Sequence, residues 1–367
     1  MSKGIFKKLL PIRKPFSAWQ IELTTRCPLR CRMCIREGFK DWRTGDMSMA
    51  DFKRLMPHFK DVETVILEGW GESLLHRNLI EAIRLVKGEG PQVGFVTSGK
   101  GLNKDYISEL INAGVDFIGF SLSGATPGTH NSIRVNSDLQ TLLSDIKGFN
   151  EIKKNKKIEN PKLHIVYLML KDNIFEVPVM LELAKEIGIK EVVLINLTHV
   201  TNEWQEKQRV FRCNELEDNS RMQHEEILKE AEIKARELNI NLRLPSLSPN
   251  EAPVCEENPL RNLYISVDGE VSPCVYLYPP TGSPFKRVFC GGEYQVEKLS
   301  FGNIFKEPFH TIWDNKGYTE FRGRFTLRKR RFEEMYYADL DRLKRFEIVP
   351  LPEPPEECKT CHKMLGL

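Results

Sequence analysis

Seven of the nine cysteines are spaced so that their thiolates could converge on metal. They form an early triplet, C-x3-C-x2-C, and a later set of four, and the members are Cys27, Cys31, Cys34, Cys255, Cys274, Cys358 and Cys361. A cubane [4Fe–4S] cluster usually takes four thiolates. Three ligands would leave one iron open to a substrate or cofactor, as catalytic zinc sites leave one position open. The triplet therefore predicts a reactive centre, with a zinc site that lacks a ligand as the alternative.

The later set could saturate one cluster by itself. Two distant cysteine pairs could also make a structural zinc ribbon. The segment Cys358-Lys359-Thr360-Cys361-His362 additionally spells the haem-attachment motif C-x-x-C-H. Haem attachment normally follows export, and the sequence shows no export signal. Cys213 and Cys290 are left over, and Cys290 is expected to be a free buried thiol unless it replaces a ligand or binds substrate.

Composition excludes some functions and leaves others open. The formal charge of +3 over 367 residues does not indicate a nucleic-acid partner. No apolar run approaches the roughly 20 residues that a membrane helix needs, so no membrane span is expected. Residues 3–14 could make an amphipathic contact with a membrane surface, with a frayed terminus as the alternative. We expect a cytoplasmic protein, in which closely spaced cysteines serve metal binding or catalysis rather than a disulfide framework.

The elements that position the triplet follow an alternating pattern from about Trp19 onwards. Short apolar runs alternate with longer amphipathic ones, which is typical of βα units around a parallel sheet. Six strands are predicted: Gln20–Thr24, Thr64–Leu67, Gln92–Thr97, Phe117–Leu122, Leu163–Leu170 and Glu191–Asn196. The predicted helices begin at the cap Ser48 and include Leu74–Lys87, Lys104–Ala113, Leu139–Lys153 and Phe175–Ile187. The fold class is thus α/β, a partial (β/α)6 TIM-like barrel, with the triplet at the carboxyl end of its first strand.

A smaller α+β domain is predicted after the barrel. Residues 201–240 are charged and helical in character, and Pro, Ser and Asn cluster at Pro245–Pro253, where we place a domain boundary. Beyond it, Asn262–Val267 and Glu270–Pro273 flank Asp268-Gly269, the signature of a hairpin with a two-residue turn. The predicted domains are a tail (1–16), a core (17–200), a helical connector (201–250) and a C-terminal domain (251–367).

These motifs resemble the radical S-adenosylmethionine (SAM) superfamily. In that family three cysteines bind a [4Fe–4S] cluster whose open iron is chelated by SAM, and reductive cleavage yields a 5′-deoxyadenosyl radical. Glu68-Gly69-Trp70-Gly71-Glu72 is similar to the family's Gly-Gly-Glu-Pro segment, although Trp70 separates the glycines and Ser73 replaces the proline. Thr97-Ser98-Gly99 is similar to its Thr-Asn-Gly. The resemblance implies that these residues hold SAM: Met33, Gly69, Gly71, Glu72, Ser98, Ser121, Ser123, Arg134 and Asn196. Ordinary packing, turn or surface roles are the alternatives for them.

The later cysteines resemble the auxiliary-cluster domains called SPASM and twitch. Cys255, Gly269 and Cys274 follow C-x13-G-x4-C, and a distant C-x-x-C closes the site. A full SPASM domain holds two clusters and needs more ligands than remain, so the resemblance implies one auxiliary cluster of the twitch type. The implied cofactors are SAM and two [4Fe–4S] clusters, with an external one-electron reductant of the ferredoxin or flavodoxin type.

The expected activity is hydrogen abstraction from a substrate that no motif identifies. Maturation of a peptide, protein or cofactor is favoured, and the glycine-rich variant also resembles a branch with proposed maturases for tungsten-cofactor enzymes. Little sequence precedes the first strand, so no leader-peptide recognition domain is expected there. A small-molecule substrate such as a sugar, a non-catalytic iron–sulfur carrier or scaffold, and a zinc-dependent nucleic-acid module are the alternatives. A basic run at residues 322–331 is expected to be a solvated helix face, or else a contact for an acidic or phosphorylated substrate.

Overall fold

The computed structural model describes residues 13–213, 220–336 and 350–367. Its strands alternate with helices through the first half of the chain, as the sequence predicts. The strands are β1 (Phe16–Ile21), β2 (Arg30–Cys31), β3 (Val62–Ile66), β4 (Gln92–Thr97), β5 (Phe117–Leu122), β6 (Arg134–Val135), β7 (Lys162–Met169), β8 (Glu191–Asn196), β9 (Asn241–Arg243), β10 (Asn262–Ile265), β11 (Val271–Ser272), β12 (Phe285–Phe289) and β13 (Gly292–Val296). The predicted bounds of β4, β5 and β8 are confirmed, whereas β1 begins four residues earlier, at Phe16, than the predicted Gln20.

The helices begin and end largely where capping residues place them. They are α1 (Met49–Lys53), α2 (Met56–Phe59), α3 (Leu79–Glu89), α4 (Lys104–Ala113), α5 (Pro127–Ile133), α6 (Leu139–Lys156), α7 (Val177–Glu186), α8 (Glu203–Lys207), α9 (Ser220–Leu238), α10 (Phe309–Trp313) and α11 (Lys316–Tyr336). The Ser48 side chain accepts from the backbone N–H of Asp51, which confirms the predicted cap. The helix predicted from Leu74 begins only at Leu79, because a short 3₁₀ turn occupies Ser73–Leu75.

One nine-stranded sheet organises the described part of the chain, in the order β11-β10-β1-β3-β4-β5-β7-β8-β9. Neighbouring strands run parallel except β10 and β11. Its centre consists of the six predicted strands, each followed by helical structure, which confirms the partial barrel. The carboxyl ends of these parallel strands meet at one edge of the sheet, and loops that follow them bring their side chains together there.

The sheet extends beyond the six predicted strands on both sides. β9 pairs with β8, and β10 pairs in parallel with β1, with Trp19 opposite Leu263. β10 and β11 form a hairpin, as predicted, but its turn is longer than the predicted two residues: the strands pair only up to Ile265 and Val271, and the Gly269 N–H donates to the Ser266 carbonyl at 3.0 Å. Gly269 has φ +86°, a conformation that a side chain would disfavour. The C-terminal part is therefore joined to the barrel by backbone hydrogen bonds through β10. The predicted domain bounds stay a prediction.

Three apolar clusters lie in the described chain. The largest fills the space between sheet and helices, and two smaller ones surround the cysteine sets. The connector is helical in α8 and α9, although residues 214–219 within it, and most of the tail with its proposed membrane contact, lie outside the described residues. None of the helices in the described ranges is long and apolar enough to cross a membrane.

Candidate functional site

The cysteine triplet lies in the loop after β1, held by side chains from elsewhere in the chain. The Arg36 guanidinium donates to the carbonyl oxygens of Cys27, at 2.9 Å, and Leu29. The Gln205 side chain, from α8, donates to the Cys34 carbonyl at 3.2 Å. β2 pairs with β6, which sets Cys31 opposite Arg134. The loop backbone is thus fixed on three sides.

The three thiols of the triplet border the same cavity. Zn–S bonds of about 2.3 Å place zinc-bound sulfurs about 4 Å apart. Within the described chain, just one group of three candidate ligands has its atoms within 4.8 Å of one another, and it is not the triplet. Cys31 and Cys27 both act electrostatically on the Cys34 thiol.

Burial keeps these thiols protonated in the absence of metal. It raises the pKa of the Cys34 thiol to about 12, against a hydrogen bond from the Arg36 backbone. It also raises the pKa of Cys31, although the Arg134 guanidinium opposes it. Because iron binds thiolates, cluster binding must supply the free energy that ionises them. The negatively charged thiolate form of the triplet is therefore favourable only when metal is bound.

Glu72 is the centre of a buried hydrogen-bond network beside the triplet. Its Oε1 accepts from the Thr97 hydroxyl at 2.7 Å and the Leu74 N–H at 3.2 Å. Its Oε2 accepts from the N–H and the hydroxyl of Ser98, at 2.8 and 2.6 Å. Only a carboxylate accepts at all these positions without donating. Glu72 and Ser98, both predicted site residues, thus join the loops after β3 and β4.

Gly69 and Gly71 allow a close approach between two loops. A Cβ on Gly71 would lie 2.2 Å from the Thr24 carbonyl oxygen, and one on Gly69 would lie 2.4 Å from Cγ of Glu22. Glu22 Oε1 also accepts from the Trp70 N–H at 2.7 Å. Side chains at either glycine would push the segment away from the β1 loop. This packing explains two predicted glycines without reference to a ligand.

Arg134 and the two predicted serines have different surroundings. Arg134 and Ser121 line the cavity beside the triplet. Ser123 is fully buried, and its hydroxyl accepts from Arg134 Nε at 2.9 Å. Since Arg134 also hydrogen bonds the Cys31 thiol, Ser123 contacts the site through Arg134. The structure therefore supports a role for Ser123 in positioning Arg134, and direct binding of SAM by Ser123 stays a prediction.

Met33 and Asn196 complete the predicted set and also line the cavity. Asn196 Nδ2 donates to the Ser246 carbonyl at 2.8 Å, while its Oδ1 is buried without a hydrogen-bond partner. A buried acceptor left without a partner costs about 1–3 kcal/mol, so a ligand that donates to it would be stabilised. Met33 is 7 % exposed and packs in the apolar cluster around the triplet.

The cavity has a volume of about 270 Å³ and includes residues that the sequence reasoning missed. They are Glu68, Trp70, His199 and Tyr276. His199 stacks on Tyr276 with ring centroids 5.1 Å apart, and Trp70 lies 5.5 Å from His199. Trp70 Nε1 and His199 Nε2 are buried without hydrogen-bond partners. Tyr276 follows Cys274, so the C-terminal part supplies one wall of the cavity.

Glu68 gives the cavity a carboxyl group that stays largely protonated at neutral pH. Burial, together with the charges of Glu72 and Glu257, raises its pKa to about 8. The pKa of His199 is lowered well below its usual range by burial and then by the charge of Arg287. Both side chains are thus neutral near pH 7. Glu68 and His199 follow β3 and β8. Because the carboxyl ends of these strands were predicted to form the site, their positions could have identified both residues from the sequence.

The later cysteines form a closed, apolar site. Burial raises the pKa of Cys358 well above its usual value, and Cys361, Cys274 and Cys255, in that order, raise it further, so all four thiols are neighbours. The surrounding apolar cluster is Leu277, Phe285, Val296, Phe321, Phe325 and Met364. No three of the four sulfurs lie within 4.8 Å of one another in the described chain, and the zinc ribbon remains an alternative.

The two leftover cysteines are not the free thiols that were expected. Cys213 and Cys290 form a disulfide with 5.6 Å between their Cα atoms, so the expectation of a free buried Cys290 is wrong. They lie 77 positions apart in the sequence, and no spacing rule connects them. His362, the last residue of the haem-like motif, donates from Nδ1 to the Thr198 carbonyl at 2.9 Å.

The basic run of α11 is mainly structural. Arg328 is fully buried and donates to the carbonyls of Pro253 and Ala252 and to Glu251. Arg322 stacks 3.7 Å above the Trp313 ring. Ion pairs within the helix join Lys329 to Glu333 and Arg330 and Arg331 to Glu334. These pairings disfavour the interpretation of the run as a contact for an acidic or phosphorylated substrate.

The fold and the two cysteine sets are those expected of an enzyme class that binds iron–sulfur clusters. Comparison with known proteins agrees. Residues 21–184 match the radical SAM superfamily model, and residues 255–362 match the SPASM model, an iron-sulfur cluster-binding domain. The chain belongs to the radical SAM superfamily and carries a C-terminal SPASM-type domain.

Its relatives include enzymes that modify cofactors and peptides. The chain is 26% identical over 306 residues to the tungsten-containing aldehyde ferredoxin oxidoreductase cofactor-modifying protein of Pyrococcus furiosus, which covers 82% of each protein. It is 21% identical over 273 residues to the PqqA peptide cyclase of Bradyrhizobium diazoefficiens, covering 73% of this chain and 69% of the relative. Its fold resembles Streptococcus suis SuiB bound to S-adenosylmethionine, with a TM-score of 0.60, 15% identity and coverage of 84% and 68%.

The cofactors of this enzyme are SAM and [4Fe–4S] clusters, including an auxiliary one. When bound, the catalytic cluster supplies the electron that cleaves SAM to a 5′-deoxyadenosyl radical, which abstracts hydrogen from a substrate. The free thiols and the polar residues around the triplet fit these groups.

Proposed function

We propose that this enzyme uses the triplet Cys27, Cys31 and Cys34 to hold the catalytic cluster and modifies a side chain of a peptide or protein in the adjoining cavity. The observation that carries the proposal is the cavity itself, which borders all three cysteines, the Glu72 network and the aromatic wall. Cys255, Cys274, Cys358 and Cys361 hold the auxiliary cluster. The cysteine triplet and the aromatic residues that would contact the substrate thus border the same cavity.

In this proposal the polar residues bind SAM, and the glycines give it room. Glu72 would accept from the ammonium of SAM, because a buried carboxylate favours a cation strongly. Arg134 would face its carboxylate. Gly69, Gly71, Ser98, Ser121 and Asn196 would line the remainder, Met33 would pack by the adenine, and Ser123 would hold Arg134. Asn196 Oδ1 supports this role, since it is buried without a partner.

The opposite wall is suited to a substrate side chain. Trp70 and His199 each present a buried ring nitrogen without a hydrogen-bond partner, and Tyr276 completes an aromatic surface. A bound group that satisfied those nitrogens would relieve a cost of about 1–3 kcal/mol each. Neutral Glu68 could donate a further hydrogen bond.

Cavity volume supports an extended substrate. At about 270 Å³ the space lies just below the range of about 300–1,000 Å³ for pockets that enclose a whole ligand. SAM would fill most of it. A substrate would therefore present one group at the opening of the cavity, while the rest of a peptide lies outside. The similarity to PqqA peptide cyclase is consistent with such a substrate.

Modification of a metalloenzyme cofactor is a second candidate. It is favoured by the similarity to the tungsten-enzyme cofactor-modifying protein, which extends over most of both chains. We further propose a cytoplasmic location and a one-electron reductant of the ferredoxin or flavodoxin type. Seven free cysteines support a reducing compartment, where clusters and thiols persist.

Anaerobic turnover tests the proposal. Reduced protein with both clusters assembled is incubated with SAM, and 5′-deoxyadenosine is measured by liquid chromatography and mass spectrometry. We expect its release, and we expect faster release with the true substrate. Candidate substrates are the short peptides and metalloenzyme subunits encoded by adjacent genes, each checked for a mass change. Absence of 5′-deoxyadenosine would reject the function, whereas release without any peptide modified would favour the cofactor alternative.

A further inference from the structure

A third group of potential metal ligands lies outside both cluster sites. Cys213 lies between α8 and α9, Cys290 in the turn between β12 and β13, and His362 in the last 3₁₀ turn. The two sulfurs and one imidazole nitrogen all lie within 4.8 Å of one another. No other group of three candidate ligands in the described ranges is so compact. Three distant parts of the chain therefore converge on one point.

The orientation of His362 indicates a ligand. Its ring is fully buried, and Nδ1 lies 2.9 Å from the Thr198 carbonyl oxygen. A carbonyl only accepts, so Nδ1 carries the proton and Nε2 presents its lone pair. Nε2 is buried without a hydrogen-bond partner. A histidine that binds metal almost always donates its other ring N–H in this manner, which fixes the ring and its tautomer.

The disulfide by itself does not account for this histidine. A disulfide sulfur has no proton to donate, so His362 Nε2 keeps its unsatisfied lone pair while Cys213 and Cys290 are joined. The Phe211 and Phe289 rings, with centroids 5.1 and 4.9 Å from that of His362, offer no polar partner. Both cysteines are partly exposed, so an ion could reach them from one side. A cation in contact with both sulfurs and Nε2 would satisfy the site.

We propose that Cys213, Cys290 and His362 form a binding site for a single thiophilic divalent cation, Zn²⁺ above all, when the disulfide is reduced. Two thiolates and one imidazole are a ligand set that zinc uses at sites with an open fourth position. Reduction by a dithiol transfers two electrons and two protons to the disulfide, and the dithiol becomes a disulfide in turn. Binding of the cation then displaces the two thiol protons.

This site is separate from the auxiliary cluster, although His362 follows Cys361 directly. Cys255, Cys274, Cys358 and Cys361 already suffice for a [4Fe–4S] cluster. The group around His362 also shares no cysteine with the four of the later set. The protein would thus bind iron at two sites and zinc at a third, with the redox state of one cysteine pair controlling the third.

Zinc content of the full chain tests the site. Protein with both clusters assembled is treated anaerobically with dithiothreitol, desalted, incubated with Zn²⁺ and desalted again. Zinc and iron are then measured by mass spectrometry, and X-ray absorption at the zinc edge identifies the ligands. We expect about one zinc per chain, bound by two sulfurs and one nitrogen, and none without reduction. Zn²⁺ affinity should fall at least about tenfold in Cys213→Ser and Cys290→Ser, with iron unchanged.

His362→Gln should lose zinc as well, and His224→Gln is its matched control. His224 is likewise buried, with Nδ1 3.3 Å from the Val210 carbonyl oxygen, but it lies outside the compact ligand group. Zinc uptake by the Cys213→Ser, Cys290→Ser double variant equal to that of the natural protein would overturn the proposal. Absence of zinc from the reduced natural protein would do the same, and so would loss of iron in Cys290→Ser, which would make Cys290 a cluster ligand.

Discussion

The two cysteine sets are built from the same thiol chemistry but have opposite surroundings. The triplet borders a cavity and a network of polar groups around Glu72, and it has three ligands. The later four cysteines lie in an apolar cluster with aromatic neighbours. In the proposed assignment, three ligands beside a polar cavity would leave an iron accessible to a small molecule, and four in an apolar enclosure would not. The difference teaches that ligand number and local polarity together distinguish a reactive cluster from an auxiliary one.

Removing the triplet should have the largest effect. In the variant with Cys27, Cys31 and Cys34 changed to Ala, release of 5′-deoxyadenosine from SAM should fall below detection, because the open cluster is lost. About half of the iron should remain, since each cluster holds four irons. Iron analysis and chromatography of the reaction measure both. Continued SAM cleavage by this variant would show that the two sets do not differ as described.

Removing two ligands from the later set should have the converse effect. Cys358→Ala with Cys361→Ala should lose about half of the iron. SAM cleavage without substrate should stay within about tenfold of the natural protein, a change in barrier below about 1.4 kcal/mol. The circular dichroism melting temperature should drop, since the vacated site leaves thiols buried without metal. Loss of SAM cleavage equal to that of the triplet variant would contradict separate roles.

Glu72→Gln should weaken SAM binding. The change removes a charge that would face the ammonium of SAM, and hydrogen bonds to charged groups contribute about 1.5–3 kcal/mol. We expect KM for SAM to rise by roughly ten- to a hundredfold. Glu81→Gln is the matched control, because Glu81 is a half-exposed residue of α3 whose partner is Lys53. Equal KM values in the two variants would remove Glu72 from the SAM site.

Gly71→Ala should disturb the same loop through shape alone. The added Cβ would lie 2.2 Å from a backbone oxygen that cannot move freely, and overpacking of this kind costs about 1–3 kcal/mol. Chemical denaturation should show lower stability and titration should show weaker SAM binding. Gly88→Ala is the control: nothing lies within 4 Å of its Cβ position in α3, so it should be neutral or stabilising. Equal stability of the two variants would contradict the close approach.

The last expected effect concerns stability alone and is a pH dependence that arises at Glu22, next to the Trp70 backbone. Burial raises the pKa of Glu22 from 4.5 to about 7, against the hydrogen bond from the Trp70 N–H. The folded protein therefore holds this proton more tightly than the unfolded chain. Its contribution to the free energy of unfolding is fully present below about pH 4.5 and is lost as pH rises to about 7. At about 1.4 kcal/mol per pH unit, the loss is at most about 3 kcal/mol.

Denaturation of Glu22→Gln between pH 5 and 8 measures this contribution, since Gln resembles the protonated acid. The variant should lose less stability than the natural protein across that interval. Parallel curves for the two proteins would show that Glu22 is not the group responsible.

Local sequence signals predicted much of the fold. β4, β5 and β8 are apolar runs with clear turns on either side, and their bounds are confirmed. β9 and β10 were missed as barrel partners, because three- or four-residue strands carry too little periodicity to reveal which strand they join. Their pairing depends on the whole sheet.

The site was predictable where its residues lie within short motifs or at the ends of predicted strands. Glu72 and Ser98 lie within motifs, and the structure joins them. Trp70 was visible only as a departure from a motif. His199 and Tyr276 meet across the boundary between barrel and C-terminal part, and the Cys213–Cys290 disulfide spans 77 positions. Contacts of that kind result from tertiary packing, on which a spacing pattern carries no information.

Electron paramagnetic resonance of the reduced protein, with and without SAM, tests the central claim most directly. The account predicts that SAM changes the signal of one cluster and leaves the other unchanged. That change should persist when Cys358 and Cys361 are replaced by Ala and disappear when Cys27, Cys31 and Cys34 are replaced. A SAM-dependent change that survives loss of the triplet, or that requires the later cysteines, would contradict it.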